Sequence, residues 1–209
     1  MSDGSGSGAA TERYVALGDS YTIGEGVAGA DSWPSLLTDH LRDCGVPIEL
    51  VANPSVTGWT TAQVIEHELP VFEASDPTFA TLLIGVNDWV QGVPRDDFRN
   101  RLALIVERVQ VTLPDPRRLL LVTIPDFSVT PAGATYSRGR DIAHGIAGFN
   151  DVIRITAERA SLELVDIFPL SQRLTGMEYV AADELHPSAA AYAEWEALIL
   201  PVAFGLMST

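Results

Sequence analysis

Arg13-Tyr14-Val15-Ala16-Leu17-Gly18-Asp19-Ser20-Tyr21-Thr22-Ile23-Gly24 passes from a strand pattern to a helix pattern within a few residues. The first five residues form a short, mostly apolar run of the kind found in strands buried on both faces. Gly18 permits a tight turn, and the residues after Ser20 can begin a helix. The same unit recurs along the chain. Apolar runs at Ile48–Ala52, Phe79–Ile84, Leu119–Ile124 and Leu162–Ile167 alternate with helical patterns at Trp33–Leu41, Thr60–Leu69, Asp96–Leu113, Asp141–Ser161 and Ser188–Leu200. Ser32, Thr60 or Thr61, and Ser188 stand where helix N-caps belong, and Gly45 stands where a helix ends. Five short strands alternating with helices specify an α/β protein with a parallel sheet covered on both faces. In such a sheet ligands bind beyond the carboxyl ends of the strands, so the chemistry is expected there.

Composition sets the outer bounds. The chain has 209 residues, 46% of them apolar and 20% charged, with 17 glycines and 13 prolines, which is ordinary for a globular protein. No repeat, low-complexity tract or internal linker interrupts residues 12–209, which read as one domain. Residues 1–11, opening MSDGSGSGAA, read as a flexible tail. That opening has neither a basic nor an apolar region of a secretory signal, and a cytoplasmic protein is expected. The longest apolar stretch, Ala197 to Met207, is shorter than the ~20 residues of a membrane span, so no integral membrane association is expected. Cys44 is the sole cysteine, which excludes an internal disulfide. A formal charge of −15 makes nucleic acid a poor partner, because binding there depends on neutralising phosphates.

Four strand-end segments hold candidate chemistry. Ser20 follows the first strand, where free backbone N–H groups at a helix start suit a nucleophile whose product carries an oxyanion; equally, Asp19 or Ser20 could simply cap that helix. After the second strand, Gly58 lets backbone approach a ligand and offers its N–H. After the third, Asn87 has an amide to donate, although Asn and Asp also serve as turn formers. Near the C-terminus, Asp183-Glu184-Leu185-His186-Pro187 places a carboxylate three residues before a histidine. That spacing lets the carboxylate hold Nδ1, so that Nε2 faces a nucleophile. Of the other histidines, His40 and His67 read as surface residues, and His144 is assigned no role. Ser20, His186 and Asp183 together form a nucleophile, base and orienter.

These four segments, in this order, resemble the consensus blocks of the SGNH (GDSL-type) hydrolases over about residues 14–200, nearly the whole folded chain. Tyr21 stands where the family name has leucine. The resemblance implies a flavodoxin-like three-layer α/β/α sandwich around a five-stranded parallel sheet. It also implies a serine esterase: Ser20 as nucleophile, His186 as general base and acid, Asp183 as its orienter, and an oxyanion hole made of the Ser20 N–H, the Gly58 N–H and the Asn87 amide. The family further includes lysophospholipases, thioesterases and carbohydrate O-deacetylases. A small-molecule ester is the expected partner. No cofactor or metal is expected, since no His-x-His or His-Glu-x-x-His cluster, Gly-x-Gly-x-x-Gly or P-loop is present. Tyr21, Trp59, Trp89 and Phe127 follow the motif residues and are expected either to line a small acyl pocket or to pack on the sheet. The contrasting expectation is a non-catalytic flavodoxin-like module that uses the same cleft only to bind.

Overall fold

The structure is a computed structural model and describes residues 10–208; the expected tail lies, up to residue 9, outside the described residues. The chain runs β1 (Glu12–Gly18), α1 (Ser20–Ile23), α2 (Trp33–Asp43), β2 (Ile48–Ala52), α3 (Thr61–Gln63), a π-turn (Val64–Glu68), α4 (Leu69–Ala74), β3 (Phe79–Leu83), α5 (Val86–Gln91), α6 (Arg95–Thr112), β4 (Leu119–Val122), α7 (Gly133–Ser137), α8 (Ile142–Ala160), β5 (Leu164–Val165), α9 (Phe168–Ser171) and α10 (Ala189–Met207). The five strands are parallel in the order β2-β1-β3-β4-β5. This is the flavodoxin-like order, whose switch point lies between β1 and β3. On one side α2 packs against α10; on the other α6 packs against α4 and α8.

The strands need this double cover because both their faces are apolar. β1 from Tyr14, and all of β3 and β4, are buried. Tyr14 and Phe79 meet across two strands with ring centroids 5.0 Å apart, and Phe98 of α6 meets Phe149 of α8 at 4.7 Å.

Several elements differ from the sequence expectation, each for a local reason. The helix expected over Thr60–Leu69 begins as predicted, with a Thr60–Gln63 capping box, but widens at Val64–Glu68, where the Leu69 N–H bonds to the Val64 carbonyl. Pro70 follows directly; it has no N–H to donate and its ring would press on the carbonyl four residues back. The last strand is only Leu164–Val165. On α8 Ile155 is 45% exposed. It lies two residues, or about 200° of helical rotation, from the buried Ile153. Asn150 is wholly buried in its stead on the core face. The final helix continues past Leu200 through Pro201 to Met207. Among the described residues it is the one helix long and apolar enough, by length and composition, to cross a membrane, yet Tyr192, Trp195, Ile199 and Ala203 are buried in the fold.

Asn150 closes the exit of β4. Its Oδ1 accepts from the Ile124 N–H and its Nδ2 donates to the Ile124 carbonyl, both at 2.8 Å. Asn150→Ala should cost roughly 2–4 kcal/mol, because two buried backbone groups lose their partners and a void opens. A urea titration showing a loss under about 0.5 kcal/mol would contradict this account.

Candidate active site

β1 and β3 are in register with Gly18 level with Leu83, so the turns that follow each strand emerge side by side. Asp19 caps α1 by accepting from the Tyr21 N–H at 3.1 Å, which leaves the Ser20 hydroxyl free of capping. Gly18 is required sterically: a Cβ there would overlap the Thr22 hydroxyl and the Leu83 carbonyl. β2 ends level with Val15, and the Gly18 N–H is taken by the wholly buried Glu68 at 2.9 Å.

The loop after β2 brings Gly58 in with φ +85°, a left-handed conformation natural to glycine. The loop is staked at three points. Thr57 bonds to Glu25, Gln91 Nε2 donates to the Gly58 carbonyl at 3.2 Å, and Asn87 Nδ2 donates to the Trp59 carbonyl at 2.9 Å. The Asn87 amide also reaches Asp19 Oδ2, at a longer 3.4 Å.

On the far wall, the turn from Ala181 to His186 is closed by the Ala181 N–H on the His186 carbonyl at 2.8 Å. Glu184 within it is left-handed, with φ 63°. Asp183 Oδ2 lies 2.6 Å from His186 Nδ1, while Oδ1 accepts from the Leu185 and His186 N–H groups, each at 2.9 Å. Partial burial works against the Asp183 charge, but these hydrogen bonds outweigh it and hold the carboxyl below the usual range. Tyr21 braces the imidazole edge-on at 5.9 Å and is itself braced by Trp195 at 5.8 Å.

Ser20, Gly58, Asn87 and His186 face one cleft of about 160 Å³, with Tyr21, Val86, Val90 and Phe127 among its walls. Among the described residues no direct hydrogen bond joins Ser20 to His186; such bonds are often long in unliganded sites. Two of the four aromatics expected at the pocket are elsewhere. Trp89 is buried under Arg140, whose guanidinium lies 4.0 Å above its ring and donates to the Trp89 and Val90 carbonyls. Trp59 packs its ring on His67 at 5.2 Å and presents only its carbonyl to the site. Tyr136 borders the cleft without a motif to signal it, and Leu185 borders it from between the motif residues Asp183 and His186.

Beneath this floor lie three wholly buried carboxyls, Asp19, Glu68 and Asp88. Asp88 accepts from the Thr61 N–H at 2.9 Å and hydroxyl at 2.6 Å, with Arg101 4.0 Å away. Burial pushes the Asp19 carboxyl up to about 8; the Tyr21 N–H and Asn87 amide oppose the rise, and the Asp88 charge adds to it. Burial likewise raises Glu68 to about 8, against its Gly18 bond and with the Asp19 charge reinforcing the shift. Among the described residues, no group of three His, Cys, Asp or Glu side chains is gathered to hold a metal ion.

Comparison with known proteins bears on the family and the fold. A family model described as GDSL-like Lipase/Acylhydrolase matches residues 16–194. An arylesterase of Vibrio mimicus is 26% identical over 178 residues, covering 85% of this chain and 81% of the relative. Esterase TesA of Pseudomonas aeruginosa is 24% identical over 187 residues, covering 88% and 83%. A lipase/acylhydrolase structure from Enterococcus faecalis superposes with a TM-score of 0.76 at 20% identity, over 93% of this chain and 96% of that one, a likeness of fold.

Because a methyl at position 18 has no room, Gly18→Ala should displace the Ser20 turn, lower stability by roughly 1–3 kcal/mol and reduce turnover more than Gly29→Ala does. Gly29 serves as the control because its added methyl meets open space and, like Gly18, it is not in the left-handed region. Equal effects of the two substitutions in paired denaturation and activity assays would remove the steric argument.

Proposed function

Since this chain belongs to the GDSL-like lipase/acylhydrolase family, we propose that it hydrolyses carboxylic esters through Ser20, His186 and Asp183, with a preference for short acyl groups. The observation that carries this reading is that Ser20, two potential oxyanion donors and a carboxylate-held imidazole share one small cleft. His186 Nε2 takes the Ser20 proton as Oγ attacks the ester carbonyl. Asp183, on Nδ1, fixes the tautomer and stabilises the imidazolium that forms. Charge then develops on the former carbonyl oxygen, where the Ser20 and Gly58 N–H groups and the Asn87 amide can meet it. Collapse expels the alcohol, protonated by His186, and leaves an acyl-serine. Water activated by the same imidazole releases the acid.

The cleft's small volume and its Tyr21 and Phe127 walls support the preference for short acyl groups. The names of the relatives, arylesterase and esterase, support the class of substrate. Lysophospholipids, thioesters and acetylated sugars are alternative substrates for the same machinery. A purely binding module gives no reason for a carboxylate bonded to an imidazole beside a free serine.

Ser20→Ala should leave the fold intact and lower kcat on p-nitrophenyl acetate by roughly 10³-fold or more. A phosphonate label should fall on Ser20. Label on another serine, with the alanine variant fully active, would defeat the mechanism. Within a p-nitrophenyl series, kcat/KM should decline from acetate and butyrate toward long chains; a maximum at long chains would refute the short-acyl preference. Asn87→Ala should lower kcat by about 10²–10³-fold with little change in KM, since the amide meets charge present only in the transition state. A change in KM alone would make Asn87 a contact of the ground state.

A further inference from the structure

The Asn87 amide has two N–H bonds, and both have protein partners: Trp59 at 2.9 Å and Asp19 at 3.4 Å. An oxyanion can take only the one that is less well held, the one pointing at Asp19. Asp19 thus competes with the transition state for the same hydrogen, and its charge decides how strongly. Glu68 is coupled to this choice. It is wholly buried, grips the Gly18 N–H next to Asp19, and has a second oxygen, Oε1, with no partner. Among the described residues no cation pairs with either carboxyl.

We propose that Asp19 and Glu68 are positioning residues that must both be uncharged for catalysis: in the protonated pair Asp19 releases the Asn87 N–H to the oxyanion, and ionisation of the pair reclaims it and switches turnover off on the alkaline side. This rests on the esterase reading above and extends it to a pair of groups outside the triad.

The geometry supplies the reasons. A carboxylate at Asp19 would bind the Asn87 amide with a charge-assisted bond, shorter and stronger than the present long contact. It would also set a negative charge close to where the oxyanion forms, in a site shielded from water. Of the neighbouring groups, Asp88 on α5 is held by Thr61 and Arg101, the latter on α6. Tyr21 on α1 and Tyr192 on α10 are kept protonated by burial. On the π-turn itself Glu66 and His67 are exposed and face each other at 3.8 Å. The pair therefore remains as the groups that titrate just above neutrality, both raised by burial to about 8.

An unfolded chain releases these protons near pH 4, whereas the folded chain keeps them to about 8. The pair's contribution to stability is therefore complete below about 4 and is lost as pH rises through that interval, levelling off above it.

The test measures kcat and KM on p-nitrophenyl acetate from about pH 6 to 10, with Ser20→Ala as the blank at each pH. Wild-type kcat should fall by about tenfold per pH unit above about 8 at nearly constant KM. Glu68→Gln keeps the acceptor for Gly18 but cannot ionise. It should stay within a few-fold of wild type at pH 7 and show a shallower or displaced alkaline fall. Asp19→Asn, which preserves a capping residue, should show a shallower or displaced alkaline fall relative to its own rate at pH 7, and the double variant should be flat. A wild-type profile flat to pH 10, or an unchanged alkaline fall in both single variants, would overturn the proposal. If Ser20→Ala turns over as fast as wild type, the esterase reading fails by itself. The difference in Tm between Glu68→Gln and wild type then still decides the charge: it should widen from about pH 5 to 8 and then level off, and a constant difference would mean the pair is already ionised.

Discussion

The pairing of β1 with β3 is the constraint from which the site follows. Two parallel strands held in register, Gly18 beside Leu83, must release their chains at the same edge and level. Chain order then reverses: β2 adds on one side of β1, and β3 to β5 add on the other. The helices after β1 and β3 diverge and leave a crevice between them. Ser20 and Asn87 are each within a few residues of a strand end, so the sheet fixes their spacing more firmly than any loop could. The Gly58 loop and the histidine turn reach this crevice from either side, each needing its own supports.

Those supports are polar and mostly short-range. The Gly58 loop is held by Thr57, Gln91 and Asn87, and the histidine turn by backbone bonds and by Asp183. Behind the imidazole, Tyr21 and Trp195 form an edge-to-face stack that joins the serine's helix to the last helix of the chain. α10 therefore helps to position the histidine although it donates no group to the cleft. A buried stack of aromatic rings resists tilting, and this complements the single hydrogen bond at Nδ1, which alone would leave the ring free to rock.

The three carboxyls under the floor impose a cost that an apolar floor would avoid, since burial penalises their charged forms. Each compensates by holding backbone or hydroxyl donors that secondary structure leaves unclaimed: Asp19 the Tyr21 N–H, Glu68 the Gly18 N–H, Asp88 both donors of Thr61. Turns at strand ends expose such donors by construction, and acidic side chains reach them without adding bulk. In the proposal above, two of the three, Asp19 and Glu68, join anchorage to titration.

The gathering of Ser20, Gly58, Asn87 and His186 at one edge was legible through the family resemblance, and the strand positions and the helix caps at Thr60 and Ser188 through residue pattern. They depend on local rules: apolar runs buried on both faces, capping residues before helical periods, and strand ends that point to one side of a parallel sheet. Other features were decided by neighbours distant in the chain. Whether Trp89 faced the cleft or the core depended on Arg140, fifty-one residues away, claiming its face and carbonyl. Trp59 was drawn onto His67 across a helix start. Glu68 lies in a stretch, Ile65-Glu66-His67-Glu68-Leu69, whose composition reads as a solvated face. It is buried because Gly18, fifty residues earlier, has an N–H that β2 is too short to take. Local pattern fixes which backbone groups pair within an element. Only the packed structure determines which are left over, and those leftover donors select the side chains that must turn inward.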